Sequence, residues 1–166
     1  MKMLIHDLAE EDLLQLLEKR EDIMLISYNT PIHHCIGCFG CWVKTPAYCV
    51  LKDDYSDLAP RMDACNEVIL ISRCTYGGYS PFVKNVLDRS IGYIHPDFTI
   101  RKGEMHHKNR YPQQLSMTAH FYGEDLTLEE KNTATELVQA NGLNLNSKKN
   151  QVLFYQQPSE MKGRIL

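Results

Sequence analysis

The sequence predicts an α/β fold: a five-stranded parallel sheet covered by helices on both faces. Three observations carry that expectation. Short apolar runs alternate with capped helical segments along the 166 residues, which is how strands joined by crossover helices are written. One run, residues 67–72, holds Val68, Ile69, Leu70 and Ile71 without a polar interruption, as a strand buried on both faces requires. That run is followed at once by a Gly77-Gly78 turn and a segment opening on Pro81, the sequence form of a strand–loop–helix unit.

Taken in order, residues 2–6 are short and apolar and form a first strand. Asp7 is placed to cap the helix behind it, with Glu10 three residues on as a variant capping box. Leu13, Leu14, Leu16 and Leu17 give that helix an apolar face, and Lys19 and Arg20 suit its C-terminal end. Residues 23–27 are a second strand, broken by Tyr28-Asn29-Thr30-Pro31. Asp53, Asp54 and Asp57 precede a short helix reaching Cys65, where they act as caps, and Pro60 belongs in its first turn. The third strand is 67–72, and its helix runs over 81–90. Residues 91–113 resist assignment because Pro96 and Pro112 interrupt them. Their cations Arg101, Lys102, Lys108 and Arg110 suit a phosphate, a partner subunit or plain solvent. Residues 115–122 are a fourth strand. Thr127 and Glu130 form a capping box for a helix to about residue 140, with Gly142 as its stop. Residues 151–155 are the fifth strand, and the remainder is too short and too interrupted for a full terminal helix.

Length suits one domain, 1–166, with one sizeable core. A net charge of −3 leaves no electrostatic footprint for nucleic acid or an anionic membrane. No apolar run reaches membrane-spanning length, and the first residues do not read as a signal peptide. With a core of this size the chain needs no disulfide scaffold, so its six cysteines are expected reduced and the protein cytoplasmic.

Four of those cysteines, Cys35, Cys38, Cys41 and Cys49, fall at C-x2-C-x2-C-x7-C spacing around the single tryptophan, Trp42. Close thiols with small spacers can converge on one metal ion or cluster. They can equally form a redox-active dithiol or pack as small apolar residues in a tight connection made by Gly37 and Gly40.

The run from Cys35 through Trp42-Val43-Lys44-Thr45-Pro46 to Cys49 and Asp53-Asp54 resembles the cysteine loop of the flavodoxin-like NADPH-dependent FMN reductase family, which includes iron–sulfur flavoproteins. Residues 72–89, Ser-Arg-Cys-Thr-Tyr-Gly-Gly-Tyr-Ser-Pro-Phe-Val-Lys-Asn-Val-Leu-Asp-Arg, are similar to that family's strand, flavin loop and Lys-x-x-x-Asp-Arg helix. The resemblance implies a flavodoxin-like three-layer sandwich with strand order 2-1-3-4-5 and a ligand at the carboxyl ends of strands 1 and 3. It implies FMN as cofactor, with Cys74, Thr75, Tyr76, Gly77, Gly78 and Tyr79 against the flavin ring. It also implies an NAD(P)H-dependent oxidoreductase acting on a small redox substrate or electron partner, and assembly as a homodimer or larger. Through the cysteine loop it implies an iron–sulfur cluster on Cys35, Cys38, Cys41 and Cys49. Arg73 beside Cys74 leaves two readings of equal standing, a reactive thiol beside a cation or a buried packing cysteine.

One part of the family pattern is missing. The loop after the first strand usually holds the FMN phosphate on backbone N–H groups. Here it reads His6-Asp7-Leu8-Ala9-Glu10-Glu11-Asp12, with four carboxylates and no glycine, serine or threonine, which repels a phosphate dianion. Three functions therefore stand: a flavin oxidoreductase, a flavodoxin-like binding or regulatory module without flavin, and an iron–sulfur electron carrier.

Overall fold

The computed structural model describes residues 1–17 and 22–165; the expectation for Lys19 and Arg20 lies outside them. In chain order the elements are β1 (Lys2–His6), α1 (Glu10–Leu16), β2 (Ile23–Ile26), α2 (Gly40–Val43), α3 (Leu58–Asp63), β3 (Glu67–Arg73), α4 (Pro81–Arg89), β4 (Ile94–Arg101), β5 (Glu104–Asn109), β6 (Ser116–Tyr122), α5 (Leu128–Asn144) and β7 (Asn150–Tyr155). Short 3₁₀ turns occupy Ile91–Tyr93 and Pro158–Met161.

Five parallel strands pair in the order β2-β1-β3-β6-β7. With β4 and β5 set aside as an insertion, this is the 2-1-3-4-5 order of flavodoxin-like sheets. The reason is visible in β3, where Val68 to Ile71 are buried on both faces. One face buries Met3, Ile5, Val68, Leu70 and Phe121 in the larger cluster, which also takes in residues of α3, α4 and α5. The other buries Leu4, Ile69 and Ile71 with α1 and the final 3₁₀ turn. That second cover is thinner, made among the described residues by α1 and the 3₁₀ turn at Pro158–Met161.

Two buried histidines lie in this thinner layer. In the register, His6 pairs with Ile71 and Ile71 with His120, so the two rings flank one isoleucine across the sheet. Each has a buried, unpartnered Nε2. Burial pushes the pKa of each down to about 4, so both are neutral at pH 7.

Several expectations are corrected. Asp7 does not cap α1; the N-cap is Ala9, without a side-chain bond. The Asp7 carboxylate turns back to the sheet instead, as described below. Asp53 is not a helix cap either: it pairs with Arg89. Gly142 does not stop α5, which runs to Asn144. It sits inside the helix because a Cβ there would overlap the Asn150 side chain, so glycine serves helix–strand contact. The Thr127–Glu130 capping box is present in both directions. Residues 91–113, which resist assignment from sequence, contain an antiparallel hairpin of β4 and β5. Pro96 lies where the register shifts between Ile94 and Phe98, as proline in a strand must.

Candidate functional site

Two features converge near α4, which starts at the carboxyl end of the central strand β3 and ends beside the cysteine loop. The first is the crevice at the ends of β1, β3 and β6. Asp7 fills it. Its Oδ2 accepts the Arg73 backbone N–H at 2.9 Å, and its Oδ1 accepts the Tyr122 hydroxyl at 3.2 Å. Ser72 Oγ accepts the N–H of Ser80 at 2.8 Å, which ties the strand end to the N-terminus of α4. Burial raises the pKa of Asp7, opposed by hydrogen bonds from Ser80, Arg73 and Tyr122. The donors that face this crevice thus already hold a carboxylate. Glu10, Glu11 and Asp12 crowd the first turn of α1 behind it. The phosphate half of an FMN site does not fit these residues.

Beside the crevice stands the turn at residues 75–78. Thr75 and Gly78 exchange both backbone hydrogen bonds, at 2.9 and 2.8 Å. Tyr76 and Gly77 both have positive φ, 52° and 78°. Gly77 is required twice over. An added Cβ would lie 2.7 Å from Thr133 Cβ and 3.0 Å from the Glu130 carbonyl of α5. Tyr76 is different: it carries a full side chain, yet it is held in the left-handed region with 92% of its surface exposed. Strain of this sort, about 1–3 kcal/mol, persists where the surroundings impose it and gathers at ligand sites.

The other residues expected at the ring are placed less openly. Tyr79 is buried, stacked on Phe121 at 5.3 Å, and its hydroxyl accepts from Asn141. Burial pushes its pKa up to about 12. Its face belongs to the core, not to a ligand. Cys74 is buried as well, and burial raises its thiol pKa. That is the opposite of a thiol activated by Arg73, and it agrees with the alternative of a packing cysteine. Thr75, Tyr76, Gly77 and Gly78 remain as the presented turn.

The second feature is the cysteine pocket. Cys35, Cys38, Cys41 and Cys49 all line one cavity of 240 Å³, together with Arg89. All four are free thiols. Burial raises the pKa of Cys41, and the neighbouring Cys49, Cys35 and Cys38 raise it further. The loop holds strained backbone as well: Phe39 and Ala47 have φ of 54° and 76°. Gly40, expected to make the turn, instead opens the helical turn α2. Among the described residues no three His, Cys, Asp or Glu side chains are grouped to hold a single metal ion.

Arg89 closes the wall. Its side chain is 0% exposed, and it meets Asp53, 7% exposed, through two bonds of 2.7 Å. Nη1 also donates to the His33 carbonyl at 2.7 Å. Burial works against the charge, but the bonds and charge of Asp53, with Cys49, outweigh it and raise the pKa of Arg89. Its Nε is buried without a partner. Sequence reasoning missed this pair, although both halves stood in the quoted motifs: Asp53 in the Asp-Asp end of one and Arg89 at the end of the other.

The basic segment does not converge on either feature. Arg101 donates to the carbonyls of Leu143, Asn144 and His107, tying the hairpin to the end of α5. Arg110 Nε donates to the Gly92 carbonyl. A larger cavity of 520 Å³ lies there, between hairpin and helix, remote from the strand ends.

No protein-family model matches the sequence, and no characterised protein matches it by sequence. Solved structures do match in fold. A flavone reductase superposes with a TM-score of 0.52 at 14% identity, over 97% of this chain and 56% of that one. The azoreductase AzrA gives 0.57 at 6% identity, over 96% and 88%. An FMN-dependent NADH-azoreductase from Bacillus anthracis, solved in complex with FMN, gives 0.53 at 10% identity, over 98% and 90%. The chain thus spans about half the length of the flavone reductase. At these identities the likeness defines the class of fold, flavodoxin-like α/β.

Proposed function

We propose that this protein is a flavin-dependent redox protein, an NAD(P)H oxidoreductase of the FMN reductase type, that takes its flavin by the ring. The observation that carries the reading is Tyr76: a fully presented aromatic in strained backbone, at the end of the central strand of a flavodoxin-like sheet. Ligands of open α/β sheets sit at such strand ends, and an exposed tyrosine there is a stacking surface. A fold neighbour that is FMN-dependent and was solved with FMN supports it. The flavin, when bound, supplies hydride and electron chemistry. The chain's part is to seat the ring on residues 75–78 and to shape access to it. Because Asp7 occupies the donors of the crevice, the phosphate gains nothing from the first loop.

Flavin fluorescence quenching on titration of the protein into riboflavin and into FMN tests this. Saturable binding of both is expected. Failure of both to bind overturns the reading and leaves a flavodoxin-like binding module.

A second reading is favoured by the pocket into which all four loop cysteines open. Four cysteines lining one cavity are donors of the type an iron–sulfur cluster takes, although among the described residues no three of them are grouped around a single point as the chain stands, and a buried unpartnered N–H such as Arg89 Nε is a group that tunes ligand sulfurs. Cys35, Cys38, Cys41 and Cys49 would hold the cluster, and electron transfer would be its chemistry. Iron and acid-labile sulfide analysis after anaerobic purification tests it; absence of both overturns it.

A further inference from the structure

The cysteine pocket holds more than thiols. Its wall is apolar at Ile36, Phe39, Leu51 and Ile91 and carries the Arg89 guanidinium. That side chain is 0% exposed. Its Nη1 and Nη2 are spent on Asp53 and on the His33 carbonyl. Nε is left over, a buried N–H without an acceptor. Leaving such a donor unmade costs about 1–3 kcal/mol, so the pocket calls for a ligand atom that accepts from it. Cys49 stands beside the same guanidinium, close enough to help hold its charge.

The loop folds back so that Cys41 and Cys49 share this wall. The Ala47 N–H donates to the Cys41 carbonyl at 2.9 Å, with Ala47 at a φ of 76°. The Thr45 N–H closes on the Gly40 carbonyl, also at 2.9 Å. The 3₁₀ turn at Ile91–Tyr93 braces the loop from outside: Trp42 Nε1 donates to the Ile91 carbonyl at 3.1 Å, and a Cβ on Gly92 would lie 3.0 Å from the Ala47 carbonyl oxygen. Of the other three loop cysteines, Cys49 bears most on Cys41. Among the described residues no three of the thiols share one centre, but a reaction between two sulfurs needs only a pair.

We propose that this pocket is a reaction site for a small organic hydroperoxide, with Cys49 as the attacking sulfur and Cys41 as the resolving one. The apolar wall and the volume of 240 Å³ fit an alkyl body smaller than a drug-sized ligand, and Arg89 Nε–H is a donor for the peroxide oxygen. The Cys49 sulfur attacks the terminal oxygen. An S–O bond forms, the O–O bond breaks, and the thiol proton leaves with the departing oxygen as an alcohol. The Nε–H faces the charge that builds on that oxygen as the bond breaks. Cys49 is then a sulfenic acid. The Cys41 sulfur attacks it, an S–S bond forms, and the hydroxyl leaves with the Cys41 proton as water. The two electrons lost by the thiol pair are those gained by the hydroperoxide. Cys41 is buried and Cys49 half-buried, which suits the second role to the first and the first to the second. The step needs neither flavin nor metal and rests on neither reading above; a cluster would occupy the same sulfurs and exclude it.

The test mixes anaerobically purified protein, first analysed for iron and acid-labile sulfide, with one equivalent of tert-butyl hydroperoxide and no added electron donor. Loss of two thiols per hydroperoxide is expected, with the disulfide mapped by peptide mass to Cys41 and Cys49. Cys49→Ser should slow the consumption at least tenfold. Cys41→Ser should keep the first step and leave Cys49 as a sulfenic acid that dimedone captures. Ile36→Glu, at an exposed part of the wall, should slow tert-butyl hydroperoxide several-fold more than hydrogen peroxide, because it puts a charge where the alkyl body lies. A disulfide mapped to Cys35 and Cys38 overturns the proposal, and so does a Cys49→Ser protein that reacts at the wild-type rate. Stoichiometric iron and sulfide overturn it in favour of the cluster. Iron-free protein that leaves the hydroperoxide intact overturns it and leaves the flavin reading standing.

Discussion

The guanidinium of Arg89 and the carboxylate of Asp53 meet through two parallel hydrogen bonds of 2.7 Å, with both side chains withdrawn from solvent. The pair joins the end of α4 to the end of the cysteine loop. Asp53 also accepts the backbone N–H groups of His33 and Tyr55, each at 3.0 Å. One carboxylate therefore fixes the loop from both sides of the cysteines.

Removing one member leaves a buried charge without its partner, which costs about 3–5 kcal/mol. Asp53→Asn is accordingly expected to lower the urea midpoint sharply and to loosen the pocket, so that Cys41 becomes accessible to alkylation. The double change Asp53→Leu with Arg89→Met should recover much of the stability, because no unpaired charge remains. Equilibrium urea unfolding of the three variants checks this. Equal loss in the double variant would mean that the pair itself, not the stranded charge, supplies the stability.

The buried histidines set the pH dependence. Both have folded-state pKa values of about 4 against an ordinary 6.5. Between those values the unfolded chain binds two protons that the folded chain does not. Stability is therefore full above pH 6.5 and falls as pH drops toward 4, by about 3 kcal/mol per histidine. Asp53, held down to about 2, adds a further loss between 3.8 and 2, while the raised Asp7 opposes it in the acid range. Urea midpoints at pH 7 and pH 4.5 are expected to differ strongly, and His120→Phe should roughly halve the slope. A flat profile over that window would contradict the burial argument.

Gly77→Ala places a Cβ against Thr133 and the Glu130 carbonyl at a positive φ. A cost of about 2–3 kcal/mol is expected from strain and contact together, read as a lower thermal midpoint. Gly103→Ala makes the comparison. That glycine also has positive φ but has open space around it, so it should lose only the strain part, about 1 kcal/mol.

Much of this was legible in the chain because sheet and helix signals are local. Val68 to Ile71, the Thr127–Glu130 box and Ser80-Pro81 each announce their element within a few residues. What stayed hidden is long-range. Nothing near Asp53 announces a partner 36 residues away, and nothing near Tyr79 tells that Phe121 takes its ring. Gly142 resembled a helix stop because its Asn150 contact comes from the next strand. The hairpin was unreadable because its strands alternate Phe98 and Ile100 with polar residues that serve α5, and because Pro96 interrupts the pattern. At the candidate site, the turn at 75–78 could be named in advance. That Asp7 would swing into the crevice and bond Arg73 and Tyr122 could not, although its charge already argued against phosphate.

The flavin reading leads to the sharpest expectation. If the ring rests on Tyr76 and the crevice is closed to anions by Asp7, then riboflavin and FMN should bind with affinities within a few-fold of each other. A phosphate held by a preformed set of N–H donors would separate them by far more, since each charge-assisted hydrogen bond is worth about 1.5–3 kcal/mol. Tyr76→Ala should weaken both flavins equally, as loss of a stacking surface does. Tyr76→Gly adds a second reading of the same residue. It should abolish the ring contact yet raise the thermal midpoint, because glycine relieves the left-handed strain at φ 52°. Loss of binding with gain of stability is the signature of a residue held in strain for its ligand. Replacing Glu10 and Glu11 with glutamine removes two charges from the first turn of α1, and should improve FMN alone, by a few-fold, through weaker repulsion. Isothermal titration of the four proteins with both flavins decides among these. FMN bound far more tightly than riboflavin by the wild type would mean that the phosphate has a seat elsewhere on the chain. A Tyr76→Gly protein that binds both flavins unchanged would remove Tyr76, and with it the ring-first site, from the account.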